Sequence, residues 1–172
     1  MRRLFLLRHA AAERVLAGQS DLDRPLADDG LRDATAVGTY LARHGDRPGC
    51  VAVSPALRTR QTLAATLPHA TATTVEQRIY DARPATLMSV IKGTPDRCHS
   101  LMLIGHNPGL HEFAILLTGT GDIDMREQLR EKFPTCALAV IDLALDSWAK
   151  IHAQAGRLER FVTPKSLARV TG

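Results

Sequence analysis

Arg8 and His9 stand side by side directly after four apolar residues, Leu4-Phe5-Leu6-Leu7. A guanidinium offers forked donors that match phosphate oxygens, and it stays charged at any working pH. A neutral imidazole can attack phosphorus, and neighbouring cations favour the neutral form. Two further apolar runs end in a similar way. Cys50–Val53 leads into Ser54-Pro55 and then Arg58, and Leu101–Ile104 leads into Gly105-His106-Asn107-Pro108-Gly109. Two guanidiniums and two imidazoles meeting beside the free N–H groups of helix starts would bind a phosphoryl group and react with it. Taken singly, these signals describe ordinary structure: a solvated Arg-His pair, a Ser-Pro helix start, a turn at Asn107. Of the seven histidines, His44, His69, His99, His111 and His152 fall on expected helix surfaces or loops, and only His9 and His106 follow apolar strand runs. The coincidence at three exits carries the functional reading.

Such exits require strands that run the same way. Strands are predicted at Leu4–Leu7, Cys50–Val53, near Ala72–Val75, at Leu101–Ile104, at Cys136–Leu143 and, as a sixth, at Trp148–Ala153. Leu31, Ala34, Val37 and Leu41 recur at helical spacing, with Asp28 or Asp29 as N-cap and Gly45 as stop. Ser54 as N-cap, with Pro55 in the first helical position, predicts a second helix reaching about Leu67. Further helices are predicted from about Ala85 to Ile91 and across Leu110, Phe113, Ala114 and Leu117. Gly119–Gly121 reads as a turn and residues 122–135 as a polar, charged stretch. Strands alternating with helices predict an α/β fold, a three-layer α/β/α sandwich. Its mostly parallel sheet would have five to six strands with helices on both faces. In such sheets ligands bind beyond the carboxyl ends of the strands.

With 172 residues and no internal repeat or linker, residues 1–172 are expected to form a single domain. Hydrophobic residues make up 45% and charged residues 23%, ordinary globular composition. No apolar run approaches the roughly 20 residues that cross a membrane, so no membrane partner is expected. Met1-Arg2-Arg3 followed by four apolar residues is too short for a signal peptide, whose core runs about 7–15 residues. A cytoplasmic protein is expected. Three cysteines (Cys50, Cys98 and Cys136), with no C-x-x-C, argue against a disulfide framework or zinc site and for a reducing compartment. The net charge of +4 comes from scattered basic residues, and aromatics are only 4%, which excludes a stacking platform for nucleic acid. A modest positive balance suits an anionic small substrate or an acidic partner protein.

L-x-R-H near the N-terminus, S-P-x-x-R-x-x-Q-T from Ser54 and G-H-N-P from Gly105 resemble the histidine phosphatase superfamily, the phosphoglycerate mutase-like proteins. Within it the chain is most similar to the small bacterial phosphohistidine phosphatases of the SixA type. Asp23-Arg24-Pro25-Leu26 with Gly30 looks like the segment before the family's first helix, and Phe161-Val162-Thr163-Pro164-Lys165 like its C-terminal motif. The superfamily's R-H-G stands here as Arg8-His9-Ala10, alanine also occurring in this branch.

By that resemblance His9 is the nucleophile, and Arg8, Arg58 and His106 hold the phosphoryl oxygens. For a proton donor, Asp81 lies nearest the expected position and Glu76 second. The implied activity is a phosphatase with a covalent phosphohistidine intermediate, needing no metal and no cofactor. The expected partner is a phosphorylated protein, a phosphohistidine domain. The alternatives are a phosphatase of small phosphate monoesters such as sugar phosphates, and a non-catalytic phosphate-binding domain.

Overall fold

Four consecutive apolar residues make sense only in a strand covered on both faces, because alternate side chains point to opposite sides. In the computed structural model, which describes residues 1–70 and 72–171, they form the centre of β1 (Arg2–Arg8). The chain continues through α1 (Asp28–Arg43), β2 (Cys50–Val53), α2 (Leu57–Thr66), β3 (Thr73–Val75), α3 (Pro84–Lys92) and β4 (Ser100–Gly105). It closes with α4 (Gly109–Leu117), β5 (Thr118–Gly121), α5 (Ile123–Glu131), β6 (Leu138–Leu143), β7 (Gly156–Val162) and α6 (Pro164–Thr171).

The seven strands form one sheet in the order β3-β2-β4-β1-β6-β7-β5. β1 pairs with β4, β2 with β3 and β4, and β5 with β7 in parallel, whereas β6 runs antiparallel to both β1 and β7. Leu4 and Leu6 face one core with Leu101, Leu103, Phe113 and Leu117. Phe5 and Leu7 face the other with Val37, Leu41, Val51 and Val53. The α/β/α sandwich with helices on both faces is thus as expected, and the sheet is mixed and larger by at least one strand.

The differences have local causes. Trp148–Lys150 is a single 3-10 turn rather than a strand, because the Trp148 indole is buried and donates to the Cys98 carbonyl at 2.6 Å. The strand comes later, as β7. The alternation that should reveal it is broken by an irregularity opposite Val140/Ile141. The Gly119–Gly121 turn is instead β5, an edge strand. A Cβ at Gly119 would sit 2.1 Å from the Gln154 carbonyl oxygen, so glycine is needed there for close approach. Residues 122–135 contain α5, capped by the Asp122 carboxylate on the Met125 N–H at 2.9 Å. Asp28 and Asp29 lie in the first turn of α1 rather than capping it.

The cysteines also depart from expectation. Cys50 and Cys98 are disulfide-bonded, and Cys136 is free and buried. Spacing in the sequence could not reveal the pair, which arises because β2 and β4 lie side by side, Cys50 opposite Leu101. The argument for a reducing compartment therefore loses its basis. Closing so long a loop is worth roughly 2–4 kcal/mol, largely by restricting the unfolded chain. Cys98→Ala should lower the melting temperature. Because the bridge lies at the ends of β2 and β4 opposite Ser54 and His106, the NMR shifts of the His106 ring should be the same in the variant as in the wild type at 25 °C.

Candidate active site

Parallel pairing makes three strands end within one residue of each other. Arg8 lies opposite Gly105 in β4, and Val53 lies opposite Ile104. His9 and His106 therefore emerge side by side on one row, and Ser54 lies one row back, level with Arg8 and Gly105. Backbone bonds extend that register past the strand ends, from His9 N–H to the Gly105 carbonyl and from Ser54 N–H to the Ile104 carbonyl, both 3.1 Å. The His9 carbonyl accepts from Cys136 N–H at 3.0 Å, and Ala10 N–H donates to the Thr62 hydroxyl at 3.0 Å. His9 is thus fixed on both sides along the chain.

Its ring is fixed too. His9 Nδ1 lies 2.7 Å from the Ala10 carbonyl oxygen. A carbonyl only accepts, so Nδ1 carries the proton and Nε2 keeps its lone pair. The His106 ring is 5.2 Å away, centroid to centroid. Arg58 Nη2 lies 3.3 Å from His106 Nδ1, and a guanidinium can only donate. His106 is therefore protonated at Nε2, which donates to the Ser54 hydroxyl at 2.7 Å. Ser54 was expected to cap α2. That helix instead begins at Leu57, and the buried Ser54 hydroxyl sets the tautomer of His106 while accepting from Ala56 N–H.

Electrostatics keep both rings neutral. Burial pushes the His9 pKa down to about 4; its bond to the Ala10 carbonyl opposes the shift, and Arg58, Arg8 and Arg24 add to it. Burial pushes His106 down to about 3, with His9 and Arg58 contributing. Burial likewise lowers Arg8 below the usual guanidinium value.

Arg58 is 4% exposed, and Asp21 holds it. Nη1 donates to the Asp21 carbonyl at 2.8 Å and Nη2 to its carboxylate at 3.0 Å. Asp21 also accepts from the Tyr80 hydroxyl at 2.7 Å and pairs with Arg24 at 3.1 Å. The Tyr80 ring stands edge-on to His106, 5.5 Å away. Arg8 Nη1 and Asn107 Nδ2 both donate to the Phe133 carbonyl, at 3.0 and 2.8 Å. The Nε–H groups of Arg8, Arg24 and Arg58 are buried without a hydrogen-bond partner among the described residues, as are those of Arg2 and Arg126 away from the site.

Arg8, His9, Arg58 and His106 thus come together as the sequence suggests. Glu76 is turned to Arg78, bonded at 3.0 Å, and Asp81 is exposed in a left-handed conformation, φ 51°. Asp21, Arg24, Tyr80 and Ser54 are site residues that the residue pattern alone did not single out as such. Arg24 lay within a quoted motif, but Asp21 and Tyr80 carry no periodic or strand-end signal.

The two buried imidazoles make stability depend on pH. The unfolded chain takes up these protons near pH 6.5, and the folded protein does so only near 4 and 3. Stability should therefore fall as pH drops below about 6.5 and continue falling toward 4. In NMR titrations the His9 and His106 rings should keep neutral-imidazole shifts at pH 5.5. A midpoint near 6.5 for either ring in the folded protein contradicts this electrostatic account.

The "Histidine phosphatase superfamily (branch 1)" profile matches residues 4–81. An uncharacterised protein of Mycobacterium tuberculosis is 36% identical over 150 residues, covering 86% of this chain and 94% of its own. Among solved structures, the candidate phosphohistidine phosphatase SixA from Nakamurella multipartitia is 31% identical and superposes with a TM-score of 0.83, covering 95% of this chain and 96% of its own. A protein described in the same terms from Agrobacterium tumefaciens is 30% identical, with a TM-score of 0.79 over 95% of this chain and 98% of its own. On the profile match, these relatives and the fold they share, this chain belongs to the histidine phosphatase superfamily.

Proposed function

We propose that this chain is a phosphatase that forms a covalent phosphohistidine at His9 and acts on phosphohistidine carried by another protein. The observation that carries the reading is the His9 ring, with Nδ1–H committed to the Ala10 carbonyl, Nε2 keeping its lone pair, and the charges of Arg58 and Arg8 acting on it. Nε2 attacks phosphorus in line, the P–N bond to the substrate imidazole breaks, and that imidazole, already protonated on its other ring nitrogen, leaves as a neutral ring. Water then attacks the phosphoryl group on His9, releasing inorganic phosphate and regenerating the neutral ring. Arg8 and Arg58 neutralise charge on the transferring oxygens. A preorganised donor of this kind supplies about 3–4 kcal/mol. His106, neutral in the ligand-free protein, is bonded to Arg58 and Ser54.

The leaving group favours phosphohistidine. An alkoxide is strongly basic and must be protonated as it departs, whereas imidazole, with a pKa of about 6.5, is a far weaker base. In this structure Asp21 is engaged by Arg58, Arg24 and Tyr80, and Glu76 by Arg78. Asp81 remains the carboxylate to test as a donor. The chain between β3 and α3 is short, residues 76–83, which leaves little to close over a small substrate. The SixA-type relatives support the same substrate class.

A phosphohistidine peptide should be turned over with higher kcat/KM than phosphoglycerate or a sugar phosphate, with p-nitrophenyl phosphate between them. Asp81→Asn should cost little with phosphohistidine. Sugar phosphates proving better, with Asp81→Asn abolishing their hydrolysis, would replace this reading with that of a small-ester phosphatase. Arg58→Ala should lower kcat/KM by at least about 100-fold with its circular dichroism unchanged. Loss of activity only through unfolding would make Arg58 structural.

A further inference from the structure

An anion pocket that contains its own carboxylate needs an explanation. Asp21 weakens the field that attracts phosphate, and yet it touches both terminal nitrogens of Arg58. It arrives on the long connection between β1 and α1, in a 3-10 turn (Asp21–Asp23) capped by the Ser20 hydroxyl on Leu22 N–H. Arg58 comes from α2, Tyr80 from the segment between β3 and α3, and His106 from the end of β4. One carboxylate joins three of these elements.

We infer that Asp21, held in turn by Tyr80, is the positioning residue that aims Arg58 at the transferring phosphoryl group; this rests on the phosphatase reading above. An arginine side chain has several rotatable bonds, and burial removes water without choosing among its rotamers. One bond to the Asp21 carbonyl and one to its carboxylate fix the guanidinium plane through two separate nitrogens, at 2.8 and 3.0 Å. That grip takes two of the five guanidinium N–H bonds and His106 a third, which leaves the second N–H of Nη1 uncommitted among the described residues. The carboxylate in turn has its place set by Tyr80 at 2.7 Å and Arg24 at 3.1 Å. Tyr80, whose ring packs perpendicular to that of His106, therefore links the orientation of the carboxylate to that of the second histidine. The Tyr80 and Arg58 bonds also hold the Asp21 carboxyl below the usual carboxylate range, so it is ionised and is not a proton donor.

A carboxylate kept for positioning has effects of opposite sign on binding and on turnover. Removing it strengthens the field for an anion and loosens the aim of Arg58. The test compares Asp21→Ala, Asp21→Asn and Tyr80→Phe with the wild type. Turnover of p-nitrophenyl phosphate and of a phosphohistidine peptide is measured from pH 5 to 8, and inorganic phosphate binding by calorimetry. Asp21→Ala should lower kcat by at least tenfold while phosphate binds as tightly as before or several-fold tighter. Asp21→Asn, which keeps an oxygen acceptor for Arg58, should recover part of the kcat. Tyr80→Phe should give a smaller loss in the same direction. The loss should be the same across the pH range. Unchanged kcat in Asp21→Ala overturns the inference. So does a parallel loss of kcat and phosphate binding, which indicates structural support alone, and so does a loss confined to one limb of the pH profile, which indicates proton transfer. Wild-type turnover in the same assay reports on the phosphatase reading, and the variant-to-wild-type ratios report on Asp21.

Discussion

The hydrogen-bond register of β1, β4 and β2 is the constraint on which the site depends. Leu7 opposite Ile104 and Ile104 opposite Val53 bring three strands to their ends within one residue of each other. Side chains alternate along a strand, so a slip of one residue would turn Leu4 and Leu6 into the core that belongs to Phe5 and Leu7. It would also move His9 to the wrong face. Two packed cores, one on each side of the sheet, therefore specify the geometry of the site as well as the stability of the fold. Two glycines let the surrounding loops close on this frame. A Cβ at Gly30 would meet the Ala11 carbonyl oxygen at 2.0 Å, and one at Gly109 would meet that of Ala82 at 1.8 Å. Neither the chain after His9 nor the chain after Tyr80 could take its present path over a larger residue.

Charge is arranged on that frame with little redundancy. The guanidiniums and burial act together on the imidazoles, holding His9 in the form that attacks. Each ring then receives its tautomer from a neighbour, His9 from the Ala10 carbonyl and His106 from Arg58 and Ser54. Asp21 is the counterweight. A buried arginine without a carboxylate carries a large desolvation cost, and Asp21 offsets it while leaving a donor of the same guanidinium unused. The pocket is thus cationic enough to attract a phosphoryl group and balanced enough to fold without one.

How much of this the sequence displayed follows from how local each signal is. β1, β2 and β4 are buried on both faces and read as unbroken apolar runs, and the residues after them were visible for that reason. β5 is Thr-Gly-Thr-Gly, and β7 loses its alternation where it meets the irregularity at Val140/Ile141, so neither announced itself. The role of Ser54 was hidden by a stronger local reading, since Ser-Pro is a good helix start wherever it occurs. The Cys50–Cys98 bond, and the meeting of Asp21 with Arg58 and Tyr80, depend on tertiary neighbours far apart in the chain. No spacing rule reaches them.

The measurement closest to the centre of this account is the position of the phosphoryl group on the trapped enzyme. Rapid quench with labelled substrate, alkaline digestion and separation of the two phosphohistidine isomers identifies the attacking nitrogen. The account predicts an acid-labile, alkali-stable adduct on the His9 peptide, entirely as the Nε2 isomer, because the Ala10 carbonyl holds the proton on Nδ1. Phosphate on Nδ1, on His106, or on no histidine during steady turnover would contradict it.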